Sequence, residues 1–537
     1  MKFLVYSQVT AARIATSMGL PEYSYYFVLR DFLPVLQNLG EVLVVEQPEV
    51  EVDRLYDQTC AAGERCVFLS FSPPQKTLTD LRCPTIPVFA WEFDSIPNEH
   101  WLDEVNQDWG HVLGKCGSAI THSQMIVDAV RKEMGAQFPI VSIPSPVWDK
   151  FAGFRAQPVV LPLTDKVVIQ VRSGVVVDSH DPALAPYISG PNAAARVIQA
   201  IREHESAMAR SQPASPEPER EPEMQPTRQQ SRLQVTRRYL GEWYLNVLCP
   251  HLSFLPRPGP RVDQNIDLIA QDEPVVDLVY EDDGKRLEPR NTVEPPHPPA
   301  SGLTPRMPEW LPTDSRLELS GMIFTALFNP YDGRKNWADM LTAFCAAFRD
   351  VPDATLVFKL GHREYESAMH DMLIWMARMP TYKCRVVLLH GYLEGSEFDS
   401  LIRASAFAVN ASHGEGQCLP LMEFLSCGKP AIAPLHSAML DYIDEEVAFV
   451  VDSWLDASAW SHDPRLAYRT CRHQLNWESL VSAYQAAYHC AKNDPERYKR
   501  MSDAAIERMR THCSQAVATE RLKTFLAMGG QAHASLA

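Results

Sequence analysis

The sequence predicts an α/β protein with two Rossmann-like, doubly wound domains facing a cleft, interrupted by an irregular Pro-rich insertion. Three observations predict it. The chain of 537 residues is too long for one core, since single cores rarely grow past about 250–300 residues. Short apolar runs alternate with helix-like stretches at both ends of the chain, which is the pattern of a parallel sheet covered by helices. Between the two ends that rhythm is lost.

In the first region, residues 1–164, the strand-like runs are Phe3 to Tyr6, Val42 to Val45, Cys66 to Ser70, Val88 to Trp91, Ala119 to Thr121 and Ile140 to Ile143. Helix-like stretches include Tyr25 to Leu39 and Ser123 to Met134. The opening run MKFLVYSQVT is broken by Ser and Gln and lacks a small-residue cleavage site, so it reads as a first strand and not as a signal peptide. The second region, residues 165–316, holds the Pro- and Glu-rich stretch Ser211 to Gln230 and a second Pro-rich stretch, NTVEPPHPPASGLTP. Such segments bury too little apolar surface to offset the entropy of ordering, and are expected to be loops or disordered. Between them TRRYLGEWYLNVLCPHLSFL is apolar enough to pack, and helices in this region are expected to complete the N-terminal domain.

The third region, residues 317–490, regains the alternation. Its strands are expected at Gly321 to Phe328, Thr355 to Leu360, Arg385 to His390, Ala406 to Asn410 and Lys429 to Ala433. Helices are expected at Trp337 to Phe348, Ser396 to Ala404, Leu419 to Ser426 and Trp477 to Ala491. Residues 491–537 are expected to form helices that pack back on the N-terminal domain. Sheets of this kind bind ligands beyond the carboxyl ends of their strands, which places a site in the cleft.

Composition narrows the function. With 46% hydrophobic and 22% charged residues the chain has a globular, soluble composition, and no run of about 18 apolar residues spans a bilayer. A formal charge of −17 argues against nucleic acid as a bulk partner, the cluster Arg228, Arg232, Arg237 and Arg238 being the most basic stretch. The twelve cysteines show no CxxC and no zinc-finger spacing, which fits a reducing cytoplasm and suggests no metal site.

The chemistry concentrates in NASHGEGQCLPLMEFLSCGKPAIAP, residues 410–434. A strand ends at Asn410, a Gly-containing loop follows, and a helix begins at Leu419 or Pro420. Its first N–H groups and positive dipole end point back at the loop and make an anion site. Glu415 stands on the loop and Glu423 eight positions on, within the helix. A carboxylate can accept hydrogen bonds from two adjacent sugar hydroxyls, and charge-assisted bonds of that kind are strong.

These residues resemble the GT-B glycosyltransferases of the large family-4 type, whose mark is Glu, seven residues, Glu, then a Gly- and Pro-containing strand; here that is Glu415, Glu423 and Cys427-Gly428-Lys429-Pro430. FNPYDGRKNWADMLTAFCAAF and VVLLHGYLEGSEFDSLIRASAFAVNAS continue the likeness upstream, over about residues 317–455. In the first domain WEFDSIPNEHW, THSQMIVDAV and IPSPVWD resemble the family more loosely. The resemblance implies a retaining, nucleotide-sugar-dependent transferase acting on a glycan or lipid-linked glycan, in cell-surface glycan synthesis, without a metal or other cofactor. It implies a cytoplasmic location, with peripheral contact at the inner face of a membrane as a further expectation.

Carried over residue by residue, the family pattern gives Glu415 the donor sugar's hydroxyls and Glu423 the ribose. Lys335, with Arg334, neutralises the diphosphate, and the N–H groups of Gly416, Gln417, Cys418 and Leu419 bind phosphate oxygens. His413 and Asn329 join the donor-binding set. Glu92, His122 and Ser123 are the candidates on the acceptor side, each placed where a strand ends at the cleft. Two departures stand out. The family's Gly-Phe-Gly is Gly416-Gln417-Cys418 here, and the Arg usually found about five residues before the Lys is replaced by the Asn329-Pro330 stretch. The rival reading is a non-catalytic sugar- or nucleotide-binding protein that kept the fold.

Overall fold

The first sheet is assembled from the alternating runs at the start of the chain. Strands β1 (Lys2–Ser7), β2 (Glu41–Val44), β3 (Cys66–Phe71), β4 (Thr85–Phe89), β5 (Ala119–Thr121) and β6 (Ile140–Ser142) lie in the order β2-β1-β3-β4-β5-β6, all parallel. Residues of β3 and β4 are buried throughout, as expected for strands covered on both faces. The helix Tyr23–Gln37 turns Val28, Phe32, Val35 and Leu36 onto one side of the sheet, and the helices Trp109–Cys116 and Gln124–Met134 bring Trp109, Leu113, Ile126 and Val130 to the same core.

The second sheet uses β8 (Thr313–Phe328), β9 (Ala354–Leu360), β10 (Arg385–His390), β11 (Phe407–Val409), β12 (Ala431–Pro434) and β13 (Ala448–Val451). Their parallel pairings give the order β10-β9-β8-β11-β12-β13, the doubly wound arrangement with its switch point between β8 and β11. The computed structural model describes residues 1–11, 13–14, 17–20, 22–101, 104–157, 163–190, 192–211, 310–393 and 395–534. The Pro- and Glu-rich stretch beyond Ser211, the second Pro-rich stretch as far as residue 305, the apolar segment 236–255 and the Arg228–Arg238 cluster fall outside them.

The described part of the middle region, residues 163–211, packs on the second lobe and not on the N-terminal domain; the apolar segment 236–255, expected to complete that domain, lies outside the described residues. The strand β7 (Leu163–Asp178) runs antiparallel along the free edge of β10 and, earlier, along the first half of β8. Val175 and Val177 then share a core with Leu184, Tyr187, Ile188, Val197 and Ile201 from the helices Ala185–Ile188 and Ala193–Ser211, and with β8 and β9. The reason is the open edge of β10, whose unpaired backbone groups β7 satisfies. The strand β8 serves both partners by bending at Gly321, with φ of 88°, where a Cβ would meet the Asp353 carbonyl at 2.5 Å.

The chain crosses between lobes through residues 143–157, whose Val147, Phe151 and Phe154 lie in the core of the second lobe. It returns at its far end. The helix Pro495–Cys513 packs on the second lobe, and the helix Gln515–Ala534 lies beside the helix Tyr23–Gln37 and places Ala518, Leu522 and Phe525 in the core of the first. Among the described residues no helix is long and apolar enough to cross a membrane.

Candidate donor site between the lobes

At the carboxyl end of β11, Asn410 starts a tight loop by accepting the Ser412 N–H on its side-chain oxygen at 2.9 Å. The loop turns Glu415 inward, where it is 4% exposed. Lys335, on the short 3₁₀ turn Gly333–Lys335 after β8, donates to both Glu415 carboxylate oxygens at 2.7 and 2.9 Å. Ser412 Oγ at 2.6 Å and Asn410 Nδ2 at 3.0 Å donate to the same carboxylate. Burial alone would raise the Glu415 pKa; Lys335, Arg334 and these hydrogen bonds outweigh it and hold the carboxyl at about 2. Its backbone is fixed as well, with the N–H donating to Ser437 Oγ at 3.0 Å.

Arg334 faces the other lobe. Its guanidinium donates to the Gly414 carbonyl at 2.7 Å, pairs with Asp332 at 2.7 Å, and reaches Glu92 beyond β4 at 3.2 Å. Burial opposes its charge, but Glu92, Asp332 and Glu415 together raise its pKa. Glu92 shifts upward chiefly through burial, with Arg334 countering. The lobes touch here. A Cβ on Gly414 would come within 3.1 Å of the Glu92 carbonyl, and one on Gly416 within 2.9 Å of Ala90 Cβ and of Trp91 N. Only glycine lets the two loops approach this closely.

The helix Leu419–Ser426 follows at once, capped by Cys418 in the left-handed region with φ of 59°. Burial pushes the Cys418 thiol up to about 12, and its sulfur lies 3.1 Å from Asn410 Nδ2. Gln417 ties the crossing segment to the second lobe: its side-chain oxygen accepts the Ser145 N–H at 3.2 Å, while its carbonyl accepts the Tyr442 hydroxyl at 2.8 Å. Leu419 packs between the cores of both lobes. His413 donates its backbone N–H to the Arg334 carbonyl, and its Nδ1 lies 2.8 Å from the His473 carbonyl.

The other candidates lie apart from this cluster. Glu423 pairs with Lys150 at 2.6 Å, near the half-buried Asp31, whose carboxyl desolvation raises to about 6 against the pull of Lys150 and Arg30. Asn329 donates to the Gly19 carbonyl of the first lobe at 3.2 Å. His122 is 1% exposed, with Nδ1 at 2.9 Å from the Ile143 carbonyl and a pKa that burial lowers to about 4. Ser123 is fully buried. Sequence reasoning missed Asn410, Ser412, Ser437, Asp332 and Lys150. The first two stand inside the quoted loop, and the Asn-x-Ser spacing of a turn that caps itself was the available signal.

No family model and no curated protein matches the chain. Among solved structures, Anabaena HepE in complex with UDP and glucose aligns with 98% of this chain and 100% of its own, at 10% identity and a TM-score of 0.44. A variant of S. aureus TarM in complex with fondaparinux, alpha-GlcNAc-glycerol and UDP aligns with 86% of this chain and 55% of its own, at 7% identity and 0.39. Sucrose-phosphate synthase from Thermosynechococcus elongatus covers 40% of this chain and 46% of its own, at 16% identity and 0.29. At these scores the likeness assigns neither activity nor ligand to this chain.

Proposed function

We propose that the protein is a nucleotide-sugar-dependent glycosyltransferase that retains anomeric configuration and acts on a glycan or lipid-linked glycan. The buried Lys335–Glu415 pair carries this reading, because it stands at the start of the Leu419–Ser426 helix where the carboxyl ends of two parallel sheets meet. When a donor enters, the diphosphate takes Lys335 and Arg334 as partners, together with the first N–H groups of that helix. Glu415, released from Lys335, accepts hydrogen bonds from the sugar hydroxyls, and Glu423 takes the ribose. An acceptor hydroxyl attacks the anomeric carbon on the face from which the diphosphate departs. The C–O bond electrons leave with the phosphate, which receives the hydroxyl proton. The cations and helix end stabilise the charge that grows on the leaving group.

The groove for the acceptor is a cavity of about 400 Å³ between the lobes, lined by Asp94, Met125, Asp128, Leu440 and Asp441. The turn Ser437–Asp441 joins it to the site: Ser437 and Ala438 bond the Glu415 backbone at one end, while Leu440 and Asp441 face the groove at the other.

The test is a thermal-shift panel of UDP, GDP, ADP and their sugars, followed by release of free nucleoside diphosphate with and without added glycans. A ligand at about a hundred times its dissociation constant stabilises by about 2.7 kcal/mol. Closure of Gly416 on Ala90 favours one second reading, a binding protein whose cleft no longer turns over. Nucleotide-induced stabilisation without any diphosphate release would select it.

A further inference from the structure

Between β13 and the helix Trp477–Asn493 the chain makes an excursion that neither sheet requires. Strands β14 (Ser453–Ala459) and β15 (Tyr468–Leu475) form a two-stranded antiparallel ribbon that, among the described residues, joins no other strand. Trp454 and Leu455 on its outer strand are 55% and 61% exposed. At its tip, in contrast, Trp460 and His462 dock into the opposite lobe. Trp460 is 2% exposed and belongs to the core of the first lobe, stacked with Trp101 at 6.3 Å. His462 stacks on Trp109 at 5.8 Å and meets Trp91 edge-on at 5.4 Å. Arg465 lies over the Trp101 ring at 5.1 Å and pairs with Glu99 at 2.9 Å, while Thr470 is hydrogen-bonded to Ser95 at 2.9 Å and to Asp94 at 3.1 Å.

The stem of the same ribbon holds the loop that carries Glu415. His473 donates its N–H to the His413 carbonyl at 2.9 Å, and its own carbonyl lies 2.8 Å from His413 Nδ1. Its ring stacks on His436 at 4.2 Å; His436 Nδ1 lies 3.1 Å from Ser437 Oγ, the atom that accepts the Glu415 N–H. Among the described residues, Trp109 Nε1, Trp460 Nε1 and His462 Nε2 at this seat are buried and meet no protein hydrogen-bond partner. Buried groups of this kind are hydrated when the tip leaves, which lowers the cost of detachment.

We propose that the β14–β15 ribbon is a strap that couples the two lobes to the donor loop: its tip, seated on Trp91, Trp101 and Trp109, holds Ala90 and Trp91 closed on Gly416 and so slows entry of a ligand beside Glu415, and its stem sets the position of that loop. The ligand part of this proposal rests on the donor-site reading above; the coupling of tip and loop does not.

Hydrogen exchange read by mass spectrometry tests the coupling without any ligand. In Trp460→Ala, amides of residues 90–95 and 413–418 exchange at least tenfold faster than in the wild type, while those of β9 and β10 do not change. Unchanged exchange in 413–418 overturns the proposal. Ser95→Cys combined with Thr470→Cys supplies the opposite perturbation and serves if loss of Trp460 disrupts the fold. Oxidised to a disulfide, this variant exchanges more slowly in 413–418 than after reduction and takes up UDP at least tenfold more slowly. The wild type under the same oxidant is the control. Equal exchange in the oxidised and reduced forms overturns the strap. If the wild type binds none of UDP, GDP or ADP, the donor-site reading fails and the exchange measurements alone decide the strap.

Discussion

Replacing Glu415 by Gln keeps the shape of the side chain and removes its charge, leaving the Lys335 ammonium facing a neutral amide in a closed space. The carboxyl titrates at about 2 in the folded protein against 4.5 when unperturbed. At 1.36 kcal/mol for each tenfold change in proton affinity, that difference contributes about 3 kcal/mol to folding at pH 7. The value agrees with the ~3–5 kcal/mol found when one partner of a buried pair is removed. Because the folded pKa is depressed, the contribution is complete above about pH 4.5 and is lost as pH falls through 4.5 toward 2. Urea unfolding followed by tryptophan fluorescence gives the comparison: the variant is less stable by about 3 kcal/mol at pH 7 and by only about 2 kcal/mol at pH 3.5. A gap under about 0.5 kcal/mol at pH 7, or one that does not narrow at pH 3.5, refutes the buried-pair account.

If the proposed transferase reading holds, Lys335→Ala lowers sugar transfer by about 100-fold or more through loss of a cation beside the leaving diphosphate; transfer rates like the wild type's would place the chemistry elsewhere. Gly416→Ala puts a methyl group 2.9 Å from Ala90 Cβ and Trp91 N, and overpacking of that kind costs about 1–3 kcal/mol, read as a lower melting temperature. Incubation with EDTA leaves transfer unchanged if Arg334, Lys335 and the helix end supply the positive charge, and metal-restorable loss would overturn that assignment.

Much of this architecture was legible because buried parallel strands must be apolar on both faces. Runs such as Cys66–Phe71 and Arg385–His390 therefore stand out from their surroundings. The family resemblance set Lys335 and Glu415, eighty positions apart, in one site but gave them separate ligands, and no local pattern announces that they pair with each other. The placement of β7 was not legible. An edge strand that joins a distant sheet carries the same apolar alternation as one that joins a near sheet, and the choice depends on which edge is open. The ribbon β14–β15 was hidden for another reason: Ser453–Ala459 is exposed along much of its length and lacks the apolar periodicity of a strand. The reach of Arg334 to Glu92 depends on how the lobes meet, which neither segment encodes alone.

The return of the helix Gln515–Ala534 to the first lobe sets an order in time as well as in space. Residues 1–142 leave the ribosome with all six strands of the first sheet, yet the apolar side of the Tyr23–Gln37 helix that receives Leu522 and Phe525 stays uncovered until residues 515–534 appear. At ~5–20 residues per second that interval is on the order of tens of seconds. During it, the surface that receives Leu522 and Phe525 is open to chaperones and to other nascent chains, and the first lobe reaches its full stability only after residues 515–534 have been made.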